Sequence, residues 1–241
     1  YPSAIHDSWE GGDWDRTPFP SVGWQYDRHY QTRSTGTVTN APYTAGNLLV
    51  GTFVTDGSSG AITLPTGWTL VEEVDNVEAS VQMVWRTATG DANDDLTYVW
   101  ATARAYNITV YEYEGFTSVS APTLSGIQSS NTADTGKSMD LGSAPSDGVM
   151  VVFAGMDSHV AYTTLDVPTV GFSNWDDSTD RNPGKGGAFA DLSAGDSTAF
   201  TTQWSDAASQ RNTVVGAFFS YNKPAYFSDD FNRADGAIGA D

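Results

Sequence analysis

The stretch from 47 to 116 constrains the fold most, because short apolar runs alternate there with clusters of turn-forming residues. The runs at 48–54 and 96–100 are rich in β-branched and aromatic residues, and Gly, Pro, Asp and Asn separate such runs. This pattern is typical of consecutive β-strands joined by tight turns. No segment shows a sustained helical period, so the sequence predicts an all-β protein.

The same pattern returns in the second half of the chain. Residues 147–154 (DGVMVVFA) match residues 46–53 (GNLLVGTF) at an offset of 101, and Trp204 follows Trp100 at an offset of 104. We predict half-repeats at 34–116 and 117–224 that build one two-layer antiparallel β-sandwich, jelly-roll-like in its strand arrangement. Two separate small barrels are the alternative, and they are disfavoured because small cores are only marginally stable.

The N-terminal segment 1–33 has a different character. Its aromatic residues follow no period of two or of 3.6, so we predict an extended arm without a clean strand. Aromatic rings have a large apolar area to bury, and the arm is therefore expected to lie on its own sandwich or on a neighbouring subunit. The predicted partner-binding residues are Trp9, Trp14, Phe19, Trp24 and Tyr26. Residues 225–241 do not continue the repeat, and they predict a linker into a further domain.

The charge balance limits the classes of partner. The formal net charge is −19, from 30 acidic and 11 basic residues, and such a surface repels nucleic-acid phosphates and anionic membranes. No apolar run approaches the roughly 20 residues that span a bilayer, so we predict no membrane insertion. The absence of cysteine excludes disulfides and thiol chemistry.

No group of residues in the sequence predicts catalysis or a cofactor. His6, His29 and His159 are scattered, which disfavours zinc, and there is no Gly-x-Ser-x-Gly motif for a hydrolase. Oxygen-rich loops are the exception, because calcium takes such ligands, although Asp and Asn are equally expected as turn formers. The calcium candidates are Asp91, Asn93, Asp94 and Asp95, and a second acidic loop contains Asp176, Asp177 and Asp180.

Sugar binding and glycoside hydrolysis are the remaining chemical alternatives. Trp68 and Trp204 fall at repeat positions, which favours core packing, whereas Trp175 stands in a polar segment and is the candidate for glycan contact. Paired carboxylates for hydrolysis must sit at a set separation, which a sequence does not reveal. The acids at 72, 73, 112 and 114 lie on predicted strands and are interpreted as a solvated face or as edge protection.

Several motifs, in order along the chain, are similar to those of a known module. They are AGNLLV (45–50), PTGWTL (65–70), ATGD (88–91), the strand at 96–100, YEY (111–113) and SDGVMVV (146–152). Together they resemble a β-sandwich module of bacteriophage tail and other virion proteins, over roughly 34–224. The second half departs from the pattern, with PTVGF at 168–172. The tail at 230–239 resembles the opening of a concanavalin- or laminin-G-like domain.

The resemblance implies a non-enzymatic structural component of a phage-like virion, either a capsid decoration or a tail or fibre subunit. It implies a position on the virion surface, outside the cell, with other virion proteins and further copies of the chain as partners. The arm would anchor the sandwich, and the C-terminal linker would display a distal domain that binds host surface glycans. The alternative function is a carbohydrate-binding module of a secreted or cell-surface protein.

Overall fold

The computed structural model describes residues 22–39, 43–76, 79–114, 116, 118–129, 136–156, 162–166, 173–178, 184–204 and 212–220. The described residues form fourteen strands, which pair antiparallel, and one short 3-10 helix, Ala92–Asp94, so the predicted all-β antiparallel fold is confirmed. Within these residues, no helix has the length and hydropathy that crossing a membrane requires. The strands are β1 Val22–Val38, β2 Leu48–Thr55, β3 Ile62–Thr63, β4 Thr69–Asp75, β5 Ser80–Thr87, β6 Leu96–Tyr113, β7 Leu124–Ser129, β8 Gly136–Met139, β9 Gly148–Met156, β10 Tyr162–Asp166, β11 Ser173–Ser178, β12 Gly184–Leu192, β13 Phe200–Trp204 and β14 Asn212–Ser220.

The first half of the chain is one sheet that folds over itself. Its strands lie in the order β1-β6-β2-β5-β4, and β3 pairs with the beginning of β6. The long strands β1 and β6 change register between His29 and Thr35. Tyr98 and Trp100, from the beginning of β6, pack on Phe53 of β2 with ring centroids 4.7 and 5.0 Å away. The bend therefore produces two layers with an apolar core between them.

The second half repeats this arrangement with two separate sheets. Strands β11-β12-β9-β14-β7 form the larger sheet, in the same order as β4-β5-β2-β6-β1 of the first half. The smaller sheet, β10-β13-β8, corresponds to β3, the beginning of β6 and the end of β1. The register of the strands agrees as well. Met139 pairs with Phe200 in the second half, and the residues 101 and 104 positions before them, Val38 and Leu96, pair with each other in the first half.

Each half has a core of its own, and the halves share a third core. The cluster between the two halves joins β2, β5 and β6 to β9 and β14, with Val50, Tyr111, Val151 and Phe219 among its fully buried members. The first half has a separate cluster around Phe53, and the second half has one of its own. The predicted sandwich is therefore the central pair of layers, and each half adds an outer layer.

Two aromatic contacts show that the shared core has pseudo-two-fold symmetry. Trp85 of β5 meets Phe219 of β14 edge-on, with ring centroids 6.2 Å apart, and Tyr113 of β6 meets Phe189 of β12 at 6.0 Å. Trp85 and Phe189 are equivalent in the repeat, as are Tyr113 and Phe219. Each contact is thus the symmetry mate of the other, as in the isologous interface of a homodimer.

The structure corrects one expectation about the N-terminal segment. The prediction of no clean strand before residue 34 is wrong, because β1 begins at Val22 and pairs along β6 of its own sheet. Trp24 and Tyr26 lie in this strand, opposite Tyr111 and Thr109. Polar and charged residues interrupt any alternation in this edge strand, whose pairing rests on backbone hydrogen bonds. The predicted anchors Trp9, Trp14 and Phe19, and the predicted linker 225–241, lie outside the described residues.

Candidate functional site

The calcium candidates of the first half are brought together in the loop between β5 and β6. Gly90 turns the chain with a positive φ of 79°, and the short helix Ala92–Asp94 follows. Asp91 Oδ1 accepts hydrogen bonds from Asn93 N at 2.9 Å and from Thr89 Oγ1 at 2.7 Å. These hydrogen bonds, with that from Thr89 first, lower the pKa of the exposed Asp91 carboxyl group. The local geometry is that of an Asx turn.

Asp94 is the buried centre of this loop. Its carboxylate accepts hydrogen bonds from Thr89 N at 2.9 Å, from Thr89 Oγ1 at 2.9 Å and from Gly90 N at 2.8 Å, and Arg86 Nε lies 3.3 Å away. The guanidinium of Arg86 also lies over the Trp68 ring. Protein donors surround both carboxylate oxygens, as a fully buried charge requires. Asp94 therefore holds the loop closed.

The equivalent loop of the second half, between β12 and β13, is also closed by a carboxylate, because Asp196 Oδ2 accepts a hydrogen bond from Ser193 N at 2.8 Å, and Ser193 stands 104 positions after Thr89. Thr198 stands 104 positions after Asp94 and is also fully buried. Its Oγ1 accepts a hydrogen bond from Leu141 N at 3.1 Å and donates one to Gly142 O at 2.8 Å. Thr198 therefore joins the β12–β13 loop to the loop between β8 and β9, whereas Asp94 holds its own loop closed. Over the part of the chain that the structure describes, no three acidic or histidine side chains are grouped to hold a metal ion.

A buried tyrosine lies beside this loop. Tyr43 is 5% exposed, and its hydroxyl has no hydrogen-bond partner among the described residues. Burial raises the pKa of its phenol, and the charges of Glu112, Asp94 and Asp95 raise it further. Glu112 Oε1 itself accepts hydrogen bonds from Thr44 N and Asn47 Nδ2, at 2.6 and 2.7 Å. This end of the first half thus combines buried polar groups with a concentration of carboxylates.

The acids of β4 also serve the fold. Glu72 Oε1 accepts a hydrogen bond from Ser125 Oγ of β7 at 2.7 Å, which links the two halves at their edge. Glu73 accepts a hydrogen bond from Gln82 Nε2 of the neighbouring strand. Because β4 ends its sheet, these charges lie where an open edge would otherwise pair with another chain.

The tryptophan candidates lie in three different settings. Trp68 is 4% exposed in the first-half core, and its Nε1 donates to Asp95 O, so its expected core role is confirmed. Trp204 lies in β13, paired with Tyr162. Trp175 lies in β11, where the pairing with β12 skips one residue. Its side chain is outside what the structure describes.

The second acidic segment is not a loop, contrary to expectation. Asp176 and Asp177 belong to β11, the edge strand of the larger second-half sheet, and Asp180 lies outside the described residues. A concentration of Asp disfavours a strand by propensity, and pairing with β12 overrides that preference.

Comparison with known proteins adds no relative to this picture. No model of a protein family matches the chain, and no curated protein sequence matches it.

Proposed function

We propose that this chain is a non-enzymatic structural module of a phage-like virion, either a capsid decoration or a tail or fibre subunit. The observation that carries the proposal is the shared core, which fuses two small sandwiches through a fully buried apolar face. Two bodies joined by a packed core resist bending between them, because interiors are close-packed. A rigid block of this kind suits a spacer or a surface subunit.

The carboxylates support a structural role over a catalytic one. Asp75, Asp94, Glu72, Glu73 and Glu112 each accept hydrogen bonds from neighbouring groups of the fold. A glycosidase needs two carboxyl groups facing one another across a substrate, one of them free to donate a proton. Carboxylates that hold loops and strand edges in place are suited to stability.

The proposed partners are other virion proteins and further copies of the chain, on the outside of the particle. The net charge of −19 keeps such a subunit soluble and away from the packaged nucleic acid. In this proposal, residues 1–21 anchor the block and residues 225–241 lead into a distal domain that binds host glycans. The sequence motifs at 45–50 and 65–70 connect the block to virion modules by resemblance.

A carbohydrate-binding module is the second candidate, and one observation favours it. Trp175 lies at a break in the pairing of an edge strand, between Asn174 and Asp176. Irregularities of this kind re-aim a side chain, and they are over-represented beside binding sites.

The test is to locate the chain in particles made from the genome that encodes it. Cryo-electron microscopy of such particles should show the four-layer block at symmetry-related positions in contact with shell or tail proteins. Particles that lack the chain, together with a protein that stays monomeric in solution, would contradict the proposal.

A glycan array separates the second candidate from the first. The full chain would be compared with Trp175→Ala and with Leu64→Ala, a control that removes an apolar side chain of 45% exposure elsewhere on the surface. Binding that only Trp175→Ala abolishes supports the carbohydrate-binding module. Binding to none of the glycans leaves the virion proposal alone.

A further inference from the structure

Two arginines face each other directly across neighbouring strands. Arg33 of β1 and Arg104 of β6 are paired at their Cα atoms, and this pair stands alone between two breaks of register. The Cβ atoms of directly opposed residues lie about 4.5–5.5 Å apart, and like charges at that distance are destabilising. The fold therefore brings together two positive charges in a chain with only 11 basic residues.

The guanidinium of Arg104 is held in a fixed orientation. Its Nε donates to Ser58 O at 2.8 Å, and this hydrogen bond leaves the N–H donors of both Nη groups available to other acceptors. The guanidinium lies against Gly57, where an added Cβ would come within 3.1 Å of Cζ and 3.2 Å of Nη1. Gly57 has a φ of 82°, and Thr55 Oγ1 donates to its carbonyl oxygen at 2.8 Å. The loop is thus shaped around the arginine.

Among the side chains that the structure describes, no carboxylate forms an ion pair with either arginine. The ion pair that the described residues form is Arg86 with Asp94, in the loop between β5 and β6. Asp75, the acid that anchors the 56–60 loop, accepts hydrogen bonds from Ser58 Oγ at 3.0 Å and from Ser80 Oγ. Its oxygens are therefore engaged with serine hydroxyl groups.

The second half builds the same topology, and its sequence has Asp134 101 residues after Arg33. Two like charges that oppose one another across neighbouring strands destabilise the fold, so their presence indicates a function beyond folding.

We propose that Arg33 and Arg104 form a binding site for one oxyanion group, such as a phosphate, sulfate or carboxylate. A guanidinium offers parallel N–H donors that match two oxygens of such a group, and a second guanidinium opposite it adds a further fork. A bound oxyanion also removes the repulsion between the two cations. This site is independent of the virion proposal, and either can fail without the other.

Thermal unfolding of the full chain tests the site with sulfate as the probe. The midpoint would be followed from low ionic strength into millimolar sodium sulfate, with sodium chloride at matched ionic strength as the reference. We expect a saturable rise with sulfate that both Arg33→Gln and Arg104→Gln abolish. Lys137→Gln, which removes one positive charge from the second half, should keep the full response. The difference between variants matters, because sulfate also stabilises proteins non-specifically.

Two further measurements complete the test. Without added oxyanion at low ionic strength, Arg33→Gln should leave the unfolding midpoint unchanged or raise it, because it removes a repulsion. Isothermal titration calorimetry with phosphate and with a short poly-glutamate peptide distinguishes a free ion from a carboxylate on a chain, and either supports the site if it depends on both arginines. An equal sulfate response in all four proteins, with no arginine-dependent binding of phosphate or peptide, would overturn the proposal.

Discussion

The substitution Phe219→Ala tests whether the two halves depend on a common core. Phe219 is fully buried in the cluster between the halves and meets Trp85 edge-on. Removing a buried phenylalanine ring costs about 3–5 kcal/mol of stability, since the transfer free energy of the ring is lost and a cavity is left behind. In a protein of this size that corresponds to a fall of roughly 6–20 °C in the unfolding midpoint.

Urea denaturation followed by tryptophan fluorescence measures this loss, with Leu64→Ala as the control. Leu64 is an exposed apolar residue, and its truncation should change the free energy of unfolding by less than about 0.5 kcal/mol. A double-mutant cycle with Trp85→Ala should give a coupling of about 0.5–1.5 kcal/mol for the aromatic pair. A loss of less than about 1 kcal/mol for Phe219→Ala would refute the shared core, because removing a ring that is buried in a core lowers the free energy of unfolding by more than this.

Three other predictions follow from the structure. Asp94→Ala should destabilise by about 3–5 kcal/mol in chemical denaturation, because it removes the buried carboxylate that pairs with the charge of Arg86 and accepts the N–H groups of Thr89 and Gly90. Gly51→Ala should cost about 1–3 kcal/mol in the same assay, because its Cβ would lie 2.6 Å from Leu96 Cδ2. Burial raises the pKa of Tyr98 and Tyr113, so the unfolded state loses their protons first. The midpoint of urea unfolding should therefore stay constant up to about pH 10 and fall as the pH rises further. A midpoint that stays constant well above the ordinary tyrosine pKa would contradict this.

The sequence was sufficient to predict the strands that are buried on both faces. The run at 48–54 is apolar at almost every position, and β2 lies between two cores. The repeat was visible for the same reason, because buried positions keep their apolar character at a nearly constant offset. The loop at 88–95 could also be predicted from the sequence, because its Gly and Asp residues favour turns and adopt the conformations that they prefer.

Features that depend on tertiary pairing were not visible in the sequence. Arg33 and Arg104 are 71 positions apart, and only the register of β1 against β6 brings them together. The start of β1 at Val22 was missed because an edge strand is held by its partner strand. The predicted loop around Asp176 is a strand for the same reason. Local propensity is a weak signal wherever pairing decides the structure.

The repeat provides an internal control for which residues the fold needs. Asn47 and Glu112 are joined by a hydrogen bond in the first half, and the equivalent residues are Gly148 and Phe218. In the second half the Phe218 ring lies so close to Gly148 that a Cβ there would be 2.5 Å from the ring.

The neighbouring position changes in a compensating way. Tyr43 fills the core of the first half, and its equivalent in the second half is the buried Ala144. The same space is thus filled by a tyrosine beside a polar pair in one half and by a phenylalanine over a glycine in the other. Either solution satisfies the fold, so packing alone does not explain why the first half has a carboxylate and a buried phenol there. Together with the arginine pair in the middle of β6, this difference makes the first half the place where we expect partner-specific chemistry.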